Sequence, residues 1–366
     1  NYIQGWATFT GPNALLVKSK ETEEIREEIR FKQAIIATGV QPVRLPFVKE
    51  YTDRIMNAEI ALELKSIPKR LLVIGGGYIG MESATIYKAL GSEVTLVEAL
   101  PTVMPTMDEE LVAVYMRQNK HLFKEMFFET RVTSLEESKG KVIASMVKVT
   151  GDTVEREFEA VLISVGMKPD TSGLGLELAG VTLDERGFIR VDQQSRTNVP
   201  HIFAIGDVTG GALLAHKASY QGRIAAEVIA GKKAPFDARA IPAVVYTDPE
   251  IAVAGLSEKE CQDQGISYRT VKFPWAASGR AVANGDPAGL TKLIIEEVTE
   301  RILGAGIVGK GAGDLISEAV LGIEMAARVG DIAMSIHPHP TVSETLMEAA
   351  ELYHGHPVHI APPRKR

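Results

Sequence analysis

The stretch RLLVIGGGYIGMESATIYKALG, residues 70–91, constrains this chain more than any other. An apolar run enters a cluster of glycines, and helical spacing begins at once, so the segment reads as strand, tight turn and helix. Gly75, Gly77 and Gly80 hold the three glycine positions of G-x-G-x-x-G. In that context the backbone can approach a pyrophosphate lying on the helix N-terminus. The strand SEVTLVE follows and ends in Glu98, 18 residues beyond Gly80. A carboxylate there can accept from both ribose hydroxyls and repels a 2′-phosphate, which predicts NAD rather than NADP. The bland alternative is a structural glycine turn followed by a solvated strand-end carboxylate.

Around this unit the pattern changes several times. Residues 1–37 read as short strands with turns, and the charged run KSKETEEIREEIR reads as the solvated part of a hairpin. Prolines at 42, 46 and 68 suit a crossing between domains. A helix is expected to start behind a cap at Asp108 and to run to about Lys124. Three strands ending in VEREFEAVLISVG form a predicted meander, and Gly231 is expected to stop a helix that begins near His216. From Ile241 onward, four strands precede two helices, which predicts a separate α+β block.

Two further motifs point to chemistry. In HIFAIGDV an apolar strand presents Asp207 at its carboxyl end, where ligands of open α/β sheets bind, although Asp207 could equally be a helix cap. In IHPHPTVSE, residues 336–344, His337 and His339 each precede proline and should be extended, with one facing something the other does not. Thr341 and Glu344 have capping-box spacing, with the threonine accepting from a backbone N–H and the glutamate reaching back. Alternatively, Glu344 holds one nitrogen of His339 so that the other can exchange a proton.

Composition narrows the classes. At 366 residues the chain should form two or three domains, and a net charge of −7 argues against nucleic acid, with the basic tail PPRKR too short to alter that. No apolar run approaches membrane length and no signal peptide is evident, so a cytoplasmic location is the default expectation. The single cysteine, Cys261, sits in a polar stretch and reads as an incidental thiol, and no metal site is read from the sequence.

The series AIIATG, VIGGGYIGMESA, SVGMKPDT, TNVPHIFAIGD, LLAHKA, PAVVYTDPEIAVAGLSE, FPWAASGRA and HPHPTVSE resembles the flavin-dependent disulfide reductases, and most closely the dihydrolipoamide dehydrogenases, over essentially the whole chain. The resemblance implies an α/β fold: part of an FAD-binding Rossmann-like domain (1–48 and 168–240), an inserted NAD-binding Rossmann-like domain (49–167), and a C-terminal α+β dimer-interface domain (241–366). It implies FAD contacts at Ala7, Thr38, Gly39, Asp207, Leu213, Leu214, Ala215 and His216. It implies NAD contacts at Gly75, Gly76, Gly77, Tyr78, Ile79, Gly80, Glu82, Glu98, Val132 and Gly166. His339 would be the acid/base, oriented by Glu344, in a homodimer that serves the lipoyl domains and E2 core of a 2-oxo acid dehydrogenase complex.

The sequence also departs from that pattern. The family's first glycine-rich turn and its pair of redox cysteines have no counterpart here, and the first residue is Asn, which together lead to the expectation of an N-terminally truncated chain. Met167 stands where relatives commonly carry Arg. Other superfamily members compete less well: NADP-linked reductases place basic residues where ALPTVMP follows Glu98, and mercuric and large thioredoxin reductases need a C-terminal redox pair. A non-catalytic NAD-binding, dimerising remnant is the reading from a different class.

Overall fold

The computed structural model describes residues 1–19, 22 and 24–361; the PPRKR tail lies outside the described residues, as does part of the first charged run. The chain divides into two compact units, one of residues 1–43 with 167–238, the other of residues 44–166 with 239–366.

In the first unit, Trp6–Gly11, Ala14–Lys18 and Ile25–Arg30 form an antiparallel sheet in sequence order. The charged run therefore supplies a third strand rather than only a loop, with Arg26, Glu27 and Glu28 exposed. Ala34–Ile36 pairs in parallel with Ile202–Ala204, so both strands deliver their carboxyl ends to one edge. Phe9, Ile36, Ile189, Ile202, Ala204 and Val208 close the core beneath them. The helix Ala215–Ile229 ends before Gly231, whose φ of +83° supplies the left-handed stop.

The second unit holds two sheets. Ile55–Met56, Ala160–Ile163, Arg70–Ile74, Glu93–Val97 and Phe123–Phe127 lie side by side in that order, all parallel. Leu71, Leu72 and Val73 are completely buried, as expected of a parallel strand covered on both faces. The helix Tyr78–Ala89 follows Arg70–Ile74, and Thr130–Ser138, Lys141–Lys148 and Thr153–Phe158 form the expected antiparallel meander. The helix capped by Asp108 is Glu109–Gln118 and stops short of Lys124. Asn119 turns the chain there, its side chain donating to the Tyr115 carbonyl, and Phe123–Phe127 is drawn into the parallel sheet beside Glu93–Val97.

The C-terminal block is a five-stranded antiparallel sheet in the order Ala243–Val245, Glu250–Gly255, Ile302–Gly309, Leu290–Glu296, Tyr268–Pro274. Its last strand was not anticipated, because YRTVKFP mixes polar and apolar residues as an edge strand does. Three helices follow instead of two: Ala312–Glu324, the short Val329–Ala333 and Glu344–His354.

One polar contact ties this sheet to the nucleotide half of the unit. Lys292 lies in the centre of Leu290–Glu296 with its side chain 1% exposed, and its ammonium donates to Asp108 (2.7 Å), Glu110 (2.7 Å) and Glu258 (2.5 Å). Three charge-assisted bonds use all three donors of the ammonium, which offsets its desolvation. Burial pushes the Glu110 and Glu258 carboxyls up, but Lys292 bonded to both, with Lys272 beside Glu110, holds each below the ordinary carboxylate range. Carboxyls depressed by folding contribute stability above their unfolded value and lose it as pH falls through the folded value, so the network should weaken only below about pH 4. Replacing Lys292 by Met leaves three carboxylates facing one another. The variant is expected to lose about 3–5 kcal/mol at pH 7 and to recover part of it near pH 5, where the carboxylates begin to take up protons. Urea unfolding at the two pH values checks this, and an equal loss at both would contradict it.

Candidate functional site

The nucleotide turn is built on close approaches that only glycine permits. Gly75 has φ of +100°, and a Cβ on it would lie 2.4 Å from the Ser164 carbonyl oxygen. A Cβ on Gly80 would lie 2.0 Å from the Gly75 carbonyl oxygen, so the helix could not seat against the turn. Ser164, which sequence reasoning passed over, donates its hydroxyl to the carbonyls of Ile74 and Gly75, each at 3.0 Å. Gly77 differs in having open space where its Cβ would be, and it precedes the helix Tyr78–Ala89 with no side-chain cap on the helix N-terminus. Uncapped N–H groups beside an open backbone fit a phosphate-bearing nucleotide.

Glu98 is not a solvated strand end. It is 8% exposed and accepts from the backbone N–H of Gly76 at 2.6 Å and of Leu100 at 2.7 Å, one to each oxygen. These bonds fix the carboxylate beside the turn, and each oxygen retains acceptor capacity for a ribose hydroxyl. Glu82 lies in the second turn of the same helix and accepts from the Tyr246 N–H at 2.8 Å, while burial pushes its carboxyl up against that bond. Gly166 has φ of +117° and open space at its Cβ, whereas the Val132 side chain is buried in the core under the meander. The structure thus brings Gly75–Gly80, Glu82 and Glu98 to one sheet edge and sets Val132 apart as a packed residue.

In the other unit, Thr38 and Gly39 follow Ile36 while Asp207 follows Ala204, so the parallel pairing brings them to the same carboxyl edge. Thr38 donates to the Asp170 carbonyl at 2.7 Å, and Gly39 takes φ of +73°. Ala7 and Thr38 both line a cavity of about 130 Å³ whose walls are otherwise Phe9, Leu15, Ala34, Ile35, Ile36, Ala37 and Leu174. Leu213 and Leu214 lead into the helix that starts at Ala215 and His216, again without a side-chain cap. Lys217, unremarked in the sequence, is buried and donates to the Gly210 carbonyl at 2.5 Å; burial pushes its ammonium down, and Asp207 works against that. A carboxylate and a hydroxyl at the sheet edge, an uncapped helix and an apolar hollow fit a cofactor with a hydroxylated chain and an aromatic ring system such as FAD.

The two proline-flanked histidines separate sharply. His337 is 7% exposed, with Nε2 bonded to Glu318 at 2.9 Å and Nδ1 to the Ser335 carbonyl at 2.8 Å, which uses both ring nitrogens structurally. His339 is 67% exposed, and its Nδ1 meets Glu344 Oε1 at 2.9 Å. The second oxygen of Glu344 accepts the Thr341 N–H at 2.8 Å. The expected capping box is therefore half present. The Thr341 hydroxyl donates to the Pro338 carbonyl instead of capping, and the helix begins at Glu344 itself. Burial pushes the Glu344 carboxyl up, but the Thr341 bond, the His339 bond and the charges of His339 and His359 bring it below the usual carboxylate range. The helix carrying Glu344 is anchored from beneath by a buried chain in which the Trp275 indole donates to Thr291 at 2.9 Å and Thr291 meets Thr345 at 2.8 Å. This is a carboxylate-oriented imidazole with Nε2 left for proton exchange.

The profile of the pyridine nucleotide-disulphide oxidoreductase family matches residues 3–222, and that of the family's dimerisation domain matches residues 241–350. A dihydrolipoyl dehydrogenase of Vibrio cholerae is 45% identical over 97% of this chain and 74% of its own length. One from Geobacillus stearothermophilus is 42% identical over 98% of this chain and 75% of its own length. Among solved structures, LpdA from Mycobacterium tuberculosis superposes with a TM-score of 0.86 at 28% identity, covering 95% of this chain and 76% of that one. The flavoprotein disulfide reductase RclA from Escherichia coli superposes with a TM-score of 0.86 at 27% identity, covering 96% and 79%. The chain therefore belongs to the pyridine nucleotide-disulphide oxidoreductase family, whose members use FAD and NAD(H).

Proposed function

We propose that this chain supplies the nucleotide-binding and proton-transfer parts of a dihydrolipoyl dehydrogenase, oxidising dihydrolipoyl groups with NAD. The observation that carries the reading is the contrast between the two histidines, with His339 exposed on a half-buried carboxylate and His337 consumed by structural bonds. His339 Nε2 takes the proton from a substrate thiol, and Glu344 holds the tautomer with the proton on Nδ1 and stabilises the imidazolium that forms. FAD would supply the two-electron carrier between the substrate's redox partner and NAD. Asp207 and Thr38 hold its hydroxylated chain, and Gly75–Gly80 with Glu98 hold the dinucleotide. Cys261 is the single cysteine of the sequence and is buried, so residues 1–366 do not themselves provide the redox pair.

The segments 1–48 and 168–240 serve the flavin, 49–167 the nucleotide and 241–366 the contact between two copies. Exposed Met325, Met334 and Ile336 near the histidine segment support a second copy as the partner of that surface. The physiological substrate is the lipoyl domain of a 2-oxo acid dehydrogenase complex, which places the protein in the cytoplasm; no helix among the described residues is long and apolar enough to cross a membrane.

In an FAD-loaded dimer of a form of the protein that carries the redox cysteine pair, His339→Ala should lower kcat for dihydrolipoamide oxidation by about 10²–10⁴-fold. His337→Ala should leave kcat within about twofold and instead cost about 1–3 kcal/mol of stability, because Glu318 loses its partner. Equal losses of activity in two folded variants would overturn the assignment of His339. For the nucleotide, calorimetric titration should show NADH binding about 100-fold or more tighter than NADPH, since a 2′-phosphate would meet the Glu98 carboxylate. Equal affinities would contradict the role given to Glu98.

A further inference from the structure

A second histidine–carboxylate pair lies beside the first. Glu344 and Glu348 are four residues apart on the helix Glu344–His354, so their carboxylates project from one face. Glu344 holds His339, which precedes the helix; Glu348 bonds Nδ1 of His359, which follows it. The two imidazoles lie nearly parallel, 9° apart, with centroids separated by 6.5 Å. Glu348 is 1% exposed, so its carboxylate has traded water for this imidazole and a longer contact with the His359 N–H at 3.5 Å. Glu351, three residues further on, has Oε2 buried with no hydrogen-bond partner among the described residues. The groups facing His359 are thus Glu344, Glu348 and Glu351 from the helix and the His339 ring from the preceding loop.

We propose that His359 and Glu348 form a positioning pair for His339, fixing the plane of its ring and coupling its proton exchange to the charge on His359. The inference rests on the acid/base reading of His339. Three carboxylates and two imidazoles share this corner, and a buried Glu348 is best compensated by a protonated partner. The bond to Glu348 pulls the His359 imidazole up, burial opposes it, and the charges of Glu348, Glu344 and Glu351 add to the pull. A proton on His359 places positive charge one ring away from His339 and makes an imidazolium there less favourable. The charge on His359 is thereby linked to proton uptake at His339 from a thiol, while Glu344 keeps its ring directed.

Histidine ¹⁵N spectra of the wild-type protein test the coupling without any substitution. The His339 ring nitrogens should show a second inflection at the pH where His359 titrates, and His337 should not. In His359→Gln that inflection should vanish, and the acid limb of the kcat/KM profile, read on the FAD-loaded dimer of the form that carries the redox cysteine pair, should move upward by about half a pH unit. Glu348→Gln should lower the His359 midpoint, so that the second inflection on the His339 nitrogens moves to lower pH. A His339 signal indifferent to His359 titration, or superimposable profiles for wild type and His359→Gln, would overturn the proposal. These outcomes are separable from the function itself. If His339→Ala kept full activity, the acid/base assignment would fail whatever the spectra showed; loss of activity there with uncoupled spectra would remove only the role of His359.

Discussion

The nucleotide half of the second unit depends on one steric constraint, the passage of the helix Tyr78–Ala89 over the carbonyl of Gly75. Side chains at 75 or 80 would overlap backbone oxygens, and Ser164 and Glu98 fasten the same turn by bonding its carbonyls and an N–H. With no Cβ to separate them, the strand end, turn and helix form one rigid piece that leaves open space beside the Gly77 backbone. The acidic strand end belongs to the same piece, because Glu98 is bonded to Gly76 before any nucleotide arrives. Such preorganisation lowers the entropic cost of binding.

The C-terminal sheet uses a different principle. Its apolar faces are buried in the ordinary way, and two polar chains give it directionality. Lys292 reaches Asp108 and Glu110 at the start of Glu109–Gln118, and Trp275, Thr291 and Thr345 reach the start of Glu344–His354. Buried polar contacts of this kind penalise small displacements, since each shift leaves a donor or charge without a partner. The consequence for chemistry is positional: the carboxylate that orients His339 sits on a helix whose first turn is bonded to the sheet.

Much of this was legible beforehand because it is local. The glycine turn, the Asp108 cap, the meander and the Gly231 stop each follow from residues within a few positions of one another. Errors fell where local signals met tertiary competition. The helix expected to reach Lys124 yields to strand pairing at Phe123, and the capping box at Thr341 is half dismantled because Pro338 offers a carbonyl to the hydroxyl. The edge strand Tyr268–Pro274 has no clear period, and its identity comes from pairing with Leu290–Glu296.

By itself the sequence determined the nucleotide-binding element, the succession of domains, and the candidacy of His339. Steric and periodic rules act along the chain and leave their mark in adjacent residues. Only the tertiary structure decided which proline-flanked histidine is free to act, that Glu98 is bonded to the turn, that Lys292 balances three carboxylates, and that His359 stacks on His339. Apart from His339 and Glu344, 5 positions apart, these are pairings of residues 19 to 184 positions apart on separate elements. Nothing in the spacing of the chain encodes them; they exist because burial removes water as the competing partner and leaves each charge only its neighbour.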